Sequence, residues 1–346
     1  MDKYVEHAYV INLDKDTKKW SQVAKVCADH DIAVERFPGI DGKALLYDKN
    51  DNAKQLLKDG VTPWCQNFCT PGMIGCGLSH MNVWRDMFKK GYASALIMED
   101  DVQFKDELYQ VLKGAFNELK EKEKENKEES WDILYLGCTG LCNKNRKYNS
   151  KFFTFHALKT EHPETHDKFI FRPEYPVALQ AYILSRAGCE KLLKLIPKVP
   201  YHIDIAIAQK GKDMNIYACH PKVAFQEFQF DKSANIVQFP QTFNWVLSHF
   251  KDVENIPVSY DLSVTFLRLG RYQVRGWDFI FIILGILAGL CTHFIYWLNI
   301  PLLCMLIMAA LEITSYPFEV LVASLIFSIS LLLTYIPLLG FRGMKT

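Results

Sequence analysis

Near Gly276 the chain changes solvent, and this change constrains the fold more than any other feature. Phe279–Leu298 is a run of twenty residues without a formal charge. As a helix it is long enough to cross the ~30 Å hydrocarbon core of a bilayer. Val320–Phe341 is a second such run. Between them Ile300–Leu311 is apolar but only twelve residues long, and extending it to Phe318 would force Glu312 into a strained third crossing. Arg268, Arg271 and Arg275 precede the first run, and Arg342 and Lys345 follow the last. Basic residues at both ends favour an even number of crossings with both flanks cytoplasmic. The expectation is a hairpin of two helices, or helices lying partly in the interface, with three crossings as the other arrangement. A buried pair of soluble helices is the plain alternative.

Upstream of Gly276 the residues are mixed and charged, as in a globular domain. The expected organisation is an α/β domain over 1–250, a basic juxtamembrane linker over 251–276, hydrophobic anchoring helices over 277–341 and a short basic tail over 342–346. A net charge of +1, with no basic face and only two basic residues in the tail, argues against nucleic acid as the partner. The opening MDKYVEHAYVINL carries acidic residues and lacks the ~7–15-residue apolar core of a secretory leader. No Asn-x-Ser/Thr acceptor site occurs in the chain. Both points fit a domain on the cytosolic face of a membrane.

Tyr9-Val10-Ile11-Asn12-Leu13 is a β-branched apolar run ending in polar residues, as a buried parallel strand does. Thr17–His30 places Trp20, Val23, Ala24 and Cys27 at helical spacing, and Val34–Phe37 reads as a second strand ended by Pro38-Gly39. Gly75–Lys90 is an amphipathic helix closed by Gly91. Ser94–Met98 is a buried strand that runs directly into Glu99-Asp100-Asp101. The Glu/Lys run Glu118–Glu129 reads as a solvated helix end or connector. Ile133–Gly137 and Ala181–Leu184 are further strands, Arg186–Ile196 is a helix, and Tyr201–Ala208 and Ile216–Cys219 bracket the last elements. Strand alternating with helix predicts a layered α/β domain.

Three consecutive carboxylates at the end of a buried strand are costly, because like charges raise each other's proton affinity unless a cation sits among them. Ligands in open α/β sheets bind beyond the carboxyl ends of the strands. An acidic triplet on its own is more often a solvated loop end. Ten cysteines include two CxxxC pairs, Cys65/Cys69 and Cys138/Cys142. Zinc sites favour a two-residue spacing with a matched second pair. Ordinary buried thiols are therefore expected here.

The stretch Thr70-Pro71-Gly72-Met73-Ile74-Gly75-Cys76-Gly77-Leu78-Ser79-His80, then Val83-Trp84-Arg85, then Ala95 to Val102 with its Glu99-Asp100-Asp101, resembles glycosyltransferase family 25. Val10–Asp14, Gly39-Ile40-Asp41-Gly42, and Ala181–Gly188 with Lys191-Leu192-Leu193 resemble further blocks of that family, in the same order over roughly residues 8–236. The family contains lipooligosaccharide and collagen galactosyltransferases. The resemblance implies a GT-A (Rossmann-like) nucleotide-sugar-binding fold, here followed by a C-terminal α-helical membrane anchor. It also implies an inverting, Mn²⁺- or Mg²⁺-assisted transfer of a hexose, galactose or glucose, from a UDP-sugar to a glycan, lipid-linked or protein hydroxyl.

By position, Asn12 and Leu13 border the donor nucleotide, with Asp41 and Gly42 nearby. Asp101 is the first metal ligand, with Glu99 and Asp100 close to the ribose or the ion, and His220 a further ligand candidate. Ser79 and His80 open or line the donor pocket, or act as a helix cap and a structural histidine. Inversion needs a base for the acceptor hydroxyl. Asp204, in Pro200-Tyr201-His202-Ile203-Asp204, is the first choice and Glu227 the second. The chain departs from the family in having Ser233-Ala234-Asn235-Ile236 where relatives often have Ser-Asp-Ile. It also has Lys15, Lys18 and Lys19 in place of paired arginines after the first strand.

A catalytically silent relative acting as an adhesion or scaffold protein is the second reading; such copies usually lose the carboxylates retained here. A transporter is the third, and Glu312 and Glu319 alone make a poor path for it.

Overall fold

The two faces of one mixed sheet organise the N-terminal part of the chain. The computed structural model describes residues 1–48, 50–125, 130–142, 168–226, 239–247, 249, 262–270, 272–294 and 299–343. Two compact units result, Met1–Phe228 and Gln229–Thr346.

The first unit begins β1 (His7–Asn12), α1 (Thr17–Asp29), β2 (Glu35–Pro38), α2 (Gly42–Tyr47), α3 (Asp51–Gly60), α4 (Pro63–Phe68) and α5 (Pro71–Lys90). It continues with β3 (Ser94–Glu99), β4 (Val102–Phe104), α6 (Leu108–Glu125), β5 (Ile133–Tyr135), β6 (Thr139–Leu141), β7 (Ile170–Phe171) and β8 (Tyr175–Val177). It closes with β9 (Ala181–Ser185), α7 (Arg186–Leu195), α8 (Ile203–Ala208), β10 (Ile216–Cys219) and β11 (Ala224–Gln226). Seven strands form the main sheet in the order β2-β1-β3-β9-β5-β10-β7. β1 is parallel to both β2 and β3, β5 is parallel to β10, and β9 runs antiparallel between β3 and β5.

Each central strand is apolar on both faces because both faces are covered. Tyr9, Ile97, Tyr135 and Tyr182 pack on one side with Ile74, Leu78 and Trp84 of α5. Val10, Leu96, Met98, Leu134 and Ile183 pack on the other with Val23 of α1 and Leu112 of α6. α5 starts a turn earlier than the apolar spacing predicts. The Thr70 side chain accepts from Met73 N, Pro71 occupies the first turn, and Gly91 ends the helix at φ 80. Along the Glu/Lys run, α6 extends to Glu125. Glu118 is not a solvated residue: its carboxylate accepts from the backbone N–H groups of Lys168, Phe169 and Ile170 at 2.8–3.2 Å and anchors β7.

The cysteine expectation is corrected. Cys65 pairs with Cys69 and Cys138 with Cys142 as disulfides, with Cα atoms 4.6 and 5.8 Å apart. Both Cα separations fall within the usual bridging range. The other six cysteines are free thiols.

The second unit contains α9 (Gln241–Leu247), the hairpin of β12 (Thr265–Leu269) and β13 (Tyr272–Arg275), and the apolar helices α10 (Gly276–Phe294), α11 (Ile300–Glu312) and α12 (Pro317–Gly343). Among the described residues, one helical stretch, Pro317–Pro337, is long and apolar enough to cross a membrane. Gly276–Thr292 and Ile300–Glu312 are shorter, so the expected hairpin of two full crossings is met by one helix of spanning length. α10 lies close along α12 because Gly285 and Gly289 lack a Cβ. A Cβ at these positions would stand 2.4 Å from Phe327 O and 2.9 Å from Leu331 O. Leu321, Leu325 and Leu333 of α12 are exposed, an outward apolar face that suits lipid.

Candidate active site

Parallel pairing carries three strand ends to one edge of the sheet. Asn12 stands opposite Pro38, and Ile11 opposite Glu99. The antiparallel β9 begins at the same edge, where Glu99 N donates to Gln180 O at 3.1 Å. The side chains that gather there come from β1, β2, β3, α1, α5, β9 and α8.

Asn12 is buried and both ends of its amide are occupied. Nδ2 donates to Asp100 Oδ2 at 2.7 Å and to Asp16 O at 3.1 Å, and Oδ1 accepts from Arg36 Nε at 2.8 Å. Arg36 also reaches Asp14 Oδ1 at 2.8 Å, and Lys19 Nζ lies 3.4 Å from Asp100 Oδ1. Burial pushes the Asp100 carboxyl up, with Lys19 and Asn12 opposing it. Lys19 and Arg36 thus bring positive charge to the edge where relatives carry paired arginines after the first strand. Arg36 was missed. A charged residue in a four-residue strand carries no signal until the register Val10↔Arg36 aims it at the end of β1.

At Asp100-Asp101 the chain leaves the main sheet, and β4 pairs with β11 instead. Gln226 of β11 donates Nε2 to Asp101 Oδ2 at 2.6 Å. Asp101 Oδ1 is closed off from solvent and has no hydrogen-bond partner. Burial, then the charge of Glu99, push this carboxyl up to about 7. A buried carboxylate oxygen left without a donor beside two further carboxylates is what a hard divalent cation resolves. The donor set therefore fits the ion that the resemblance implies.

Glu99 Oε1 lies 3.1 Å from His80 Nε2 and 3.8 Å from Cys76 Sγ. His80 is buried, and its Nδ1 is 3.0 Å from Tyr182 OH, which in turn accepts from Trp84 Nε1 at 2.8 Å. Cys76, His80 and Glu99 present three donor atoms within 4.8 Å of one another. Burial raises the Cys76 thiol well above its usual range, and the charges of Glu99, Asp204 and Asp101 add to it. Asp204 therefore lies in the same electrostatic neighbourhood as Glu99 and Asp101.

Asp204 is heavily engaged. Oδ2 accepts from Ala178 N at 3.0 Å, Oδ1 accepts from Ile205 N at 2.6 Å, and His202 Nδ1 stands 2.8 Å from Oδ1 as an ion pair. Burial pushes the carboxyl up, but His202 and the backbone donors outweigh it and hold Asp204 at about 2. Burial lowers His202, yet Asp204 and Glu99 together raise it above the ordinary histidine value. His202 escaped the sequence reading because nothing marks it apart from its neighbour Asp204.

The remaining expected residues fall into different places. Ser79 Oγ accepts from Ile40 N at 2.8 Å and donates to Gly75 O at 2.6 Å, so it ties α5 to the turn before α2. Asp41 caps α2, accepting from Lys43 N at 2.9 Å and Ala44 N at 3.3 Å, and pairs with Lys15. Gly42 is a packing glycine, since a Cβ there would stand 1.8 Å from Pro71 O. Leu13 lies against Gly39 at the exit of β1. His220 packs its ring edge-on against Phe171, and its backbone N–H donates to Phe169 O at 2.8 Å, at the β7 side of the sheet. Among the described residues Cys76, His80 and Glu99 form a converging three-donor group, and His220 lies apart from the carboxylate turn at the β7 side. Glu227 and the Ser233–Ile236 segment lie outside the described residues.

The first unit is thus a mixed α/β domain that gathers a carboxylate turn and two basic side chains at the carboxyl edge of its parallel strands. The sequence model described as Glycosyltransferase family 25 (LPS biosynthesis protein) matches residues 5–207, more than half of the chain, and the chain belongs to this family. It is 25% identical over 194 residues to a glycosyltransferase 25 family member of Anopheles gambiae, covering 56% of this chain and 29% of the relative. It is 25% identical over 202 residues to procollagen galactosyltransferase 1 of Danio rerio, with the same coverage. An inactive glycosyltransferase 25 family member 3 of Mus musculus is 26% identical over 133 residues, covering 38% of this chain and 22% of that protein. The chain thus spans less than a third of the length of these relatives. Among solved structures, A197 from STIV superposes with a TM-score of 0.33 at 11% identity over 64% of this chain and 86% of its own, too low to support an argument.

Proposed function

We propose that the chain is a divalent-cation-dependent, inverting glycosyltransferase of the GT-A type that moves galactose or glucose from a UDP-sugar to a hydroxyl acceptor at a membrane surface. The observation that carries this reading is Asp101, whose Oδ1 is buried without a partner in a carboxylate turn at the carboxyl edge of the sheet. Asp101 and Glu99 would hold Mn²⁺ or Mg²⁺, which when bound neutralises charge on the leaving diphosphate. Asn12, with Arg36 and Lys19 behind it, orients Asp100 toward the nucleotide side.

On the acceptor side the His202–Asp204 pair is the candidate base. Both Asp204 oxygens accept backbone N–H groups and a carboxyl held near 2 is a weak base, so His202, in its neutral form, is the member that would take the proton. The outward apolar face of α12 supports membrane attachment. The expected cytosolic placement meets an opposing observation in the two cysteine pairs, because disulfides persist in oxidising compartments.

The test is hydrolysis and transfer across a panel of UDP-sugars, with and without Mn²⁺, for wild type and Asp101→Ala. Metal-dependent turnover of one donor, abolished by the substitution, supports the reading and names the sugar. Absence of both binding and turnover would favour the silent reading, which the inactive mouse relative keeps in view.

A further inference from the structure

The hydrogen-bond chain behind Glu99 has a direction that chemistry alone decides. Trp84 Nε1 is a donor only, so the Tyr182 oxygen accepts from it at 2.8 Å. The Tyr182 hydroxyl proton then points elsewhere, and among its described contacts the acceptor within reach is His80 Nδ1 at 3.0 Å. An imidazole that accepts at Nδ1 carries its proton on Nε2. That Nε2–H faces Glu99 Oε1 at 3.1 Å. Trp84, Tyr182 and His80 are each at most 1% exposed, and Glu99 is the member that opens toward the site, its side chain 27% exposed. The chain therefore runs Trp84 → Tyr182 → His80 → Glu99, from core to site, linking α5, β9 and β3.

This direction also disposes of another reading of the same residues. A metal bound by Cys76, His80 and Glu99 would need the Nε2 lone pair, which the relay uses to hold its proton. It would also leave the Tyr182 hydroxyl proton without its acceptor.

We infer that His80 is a positioning residue: its Nε2–H, its tautomer set by Tyr182 and Trp84, clamps Glu99 Oε1 so that the other carboxylate oxygen is presented to the cation shared with Asp101. The role rests on the functional reading above and goes beyond it by assigning His80 to the back of the carboxylate rather than to the donor pocket. A partner that orients a ligating group is worth ~10–100-fold in metal affinity.

Two near-isosteric substitutions separate the two ends of the ring. In His80→Gln the amide nitrogen falls where Nε2 was and keeps the donor to Glu99. In His80→Asn it falls where Nδ1 was and loses that donor. Mn²⁺ affinity is read by EPR titration on the folded full chain in detergent, beside melting temperature. His80→Gln is expected to bind within about threefold of wild type and His80→Asn at least about tenfold more weakly, at similar melting temperatures. Histidine-labelled ¹⁵N spectra are expected to show a neutral Nε2–H tautomer at the resonance lost in both variants.

His80→Asn binding as tightly as wild type, or both variants weakened alike, would overturn the positioning role while the functional reading stands. An Nδ1–H tautomer would overturn the relay itself. A wild type that binds no Mn²⁺ would overturn the functional reading together with this one, which distinguishes the two failures.

Discussion

At the scale of single residues, the site is defined by which polar atoms are satisfied. Asp101 carries an unbalanced cost: one oxygen is bonded to Gln226 and the other is closed off without a partner. Its carboxyl is raised to about 7, so the sign of its pH dependence follows. Below the ordinary carboxylate range the group is neutral in folded and unfolded chains alike. As pH rises from the ordinary carboxylate value of 3.8 towards about 7 the unfolded chain ionises while the folded one keeps its proton, so metal-free stability falls across that window and is level above it. Mn²⁺ is therefore expected to raise the melting temperature more at pH 8 than at pH 5. Asp101→Asn is expected to match or exceed the metal-free wild type at pH 8 and to lose the response to Mn²⁺, as calorimetry can show. Tyr182→Phe has the opposite character. It leaves Trp84 Nε1–H and His80 Nδ1 buried and unpaired, and each such group costs about 1–3 kcal/mol. Urea unfolding should show a loss of that order, and an unchanged midpoint would mean that the relay contributes nothing to folding.

At the scale of elements, the approach of α2 to the start of α5 is what holds the carboxyl edge together. Gly42 and Gly75 meet there, and a Cβ at Gly75 would lie 2.4 Å from Ile40 O, while one at Gly42 would lie 1.8 Å from Pro71 O. Backbone cannot yield as a flexible side chain can. Gly42→Ala is expected to lose about 1–3 kcal/mol or more and to move the Ile40–Ser79 contact, so that donor binding falls with stability. A Gly42→Ala variant with wild-type unfolding and binding would contradict this packing. The elements themselves were largely legible: β1, α1, β3 and α7 lie within about a residue or two of their expected positions, because apolar period and terminal Gly or Pro mark them. The early start of α5 was not read, although Thr70-Pro71 is a cap followed by a first-turn proline.

At the scale of the whole molecule, two features bear on where it works. α12 offers one stretch of spanning length, and two cysteine pairs belong to the first unit. Alkylation of the denatured, unreduced chain is expected to label six of the ten cysteines, and all ten after reduction. Ten labelled without reductant would remove the pairs and return the domain to the cytosolic side that the flanking basic residues favour.

From the sequence by itself came the alternation of strand and helix, the apolar C-terminal segment, and the placing of Glu99-Asp100-Asp101 at a strand's end. All of these are properties of neighbours along the chain, where hydrophobic period and charge act locally. Tertiary structure alone decided that Arg36 and Lys19 face Asn12 and Asp100, that His202 accompanies Asp204, and that Ser79 serves a turn. It also turned His80 toward Glu99. Those contacts join residues up to about a hundred positions apart, and their geometry depends on strand register and helix packing, which a one-dimensional pattern of residue types does not encode.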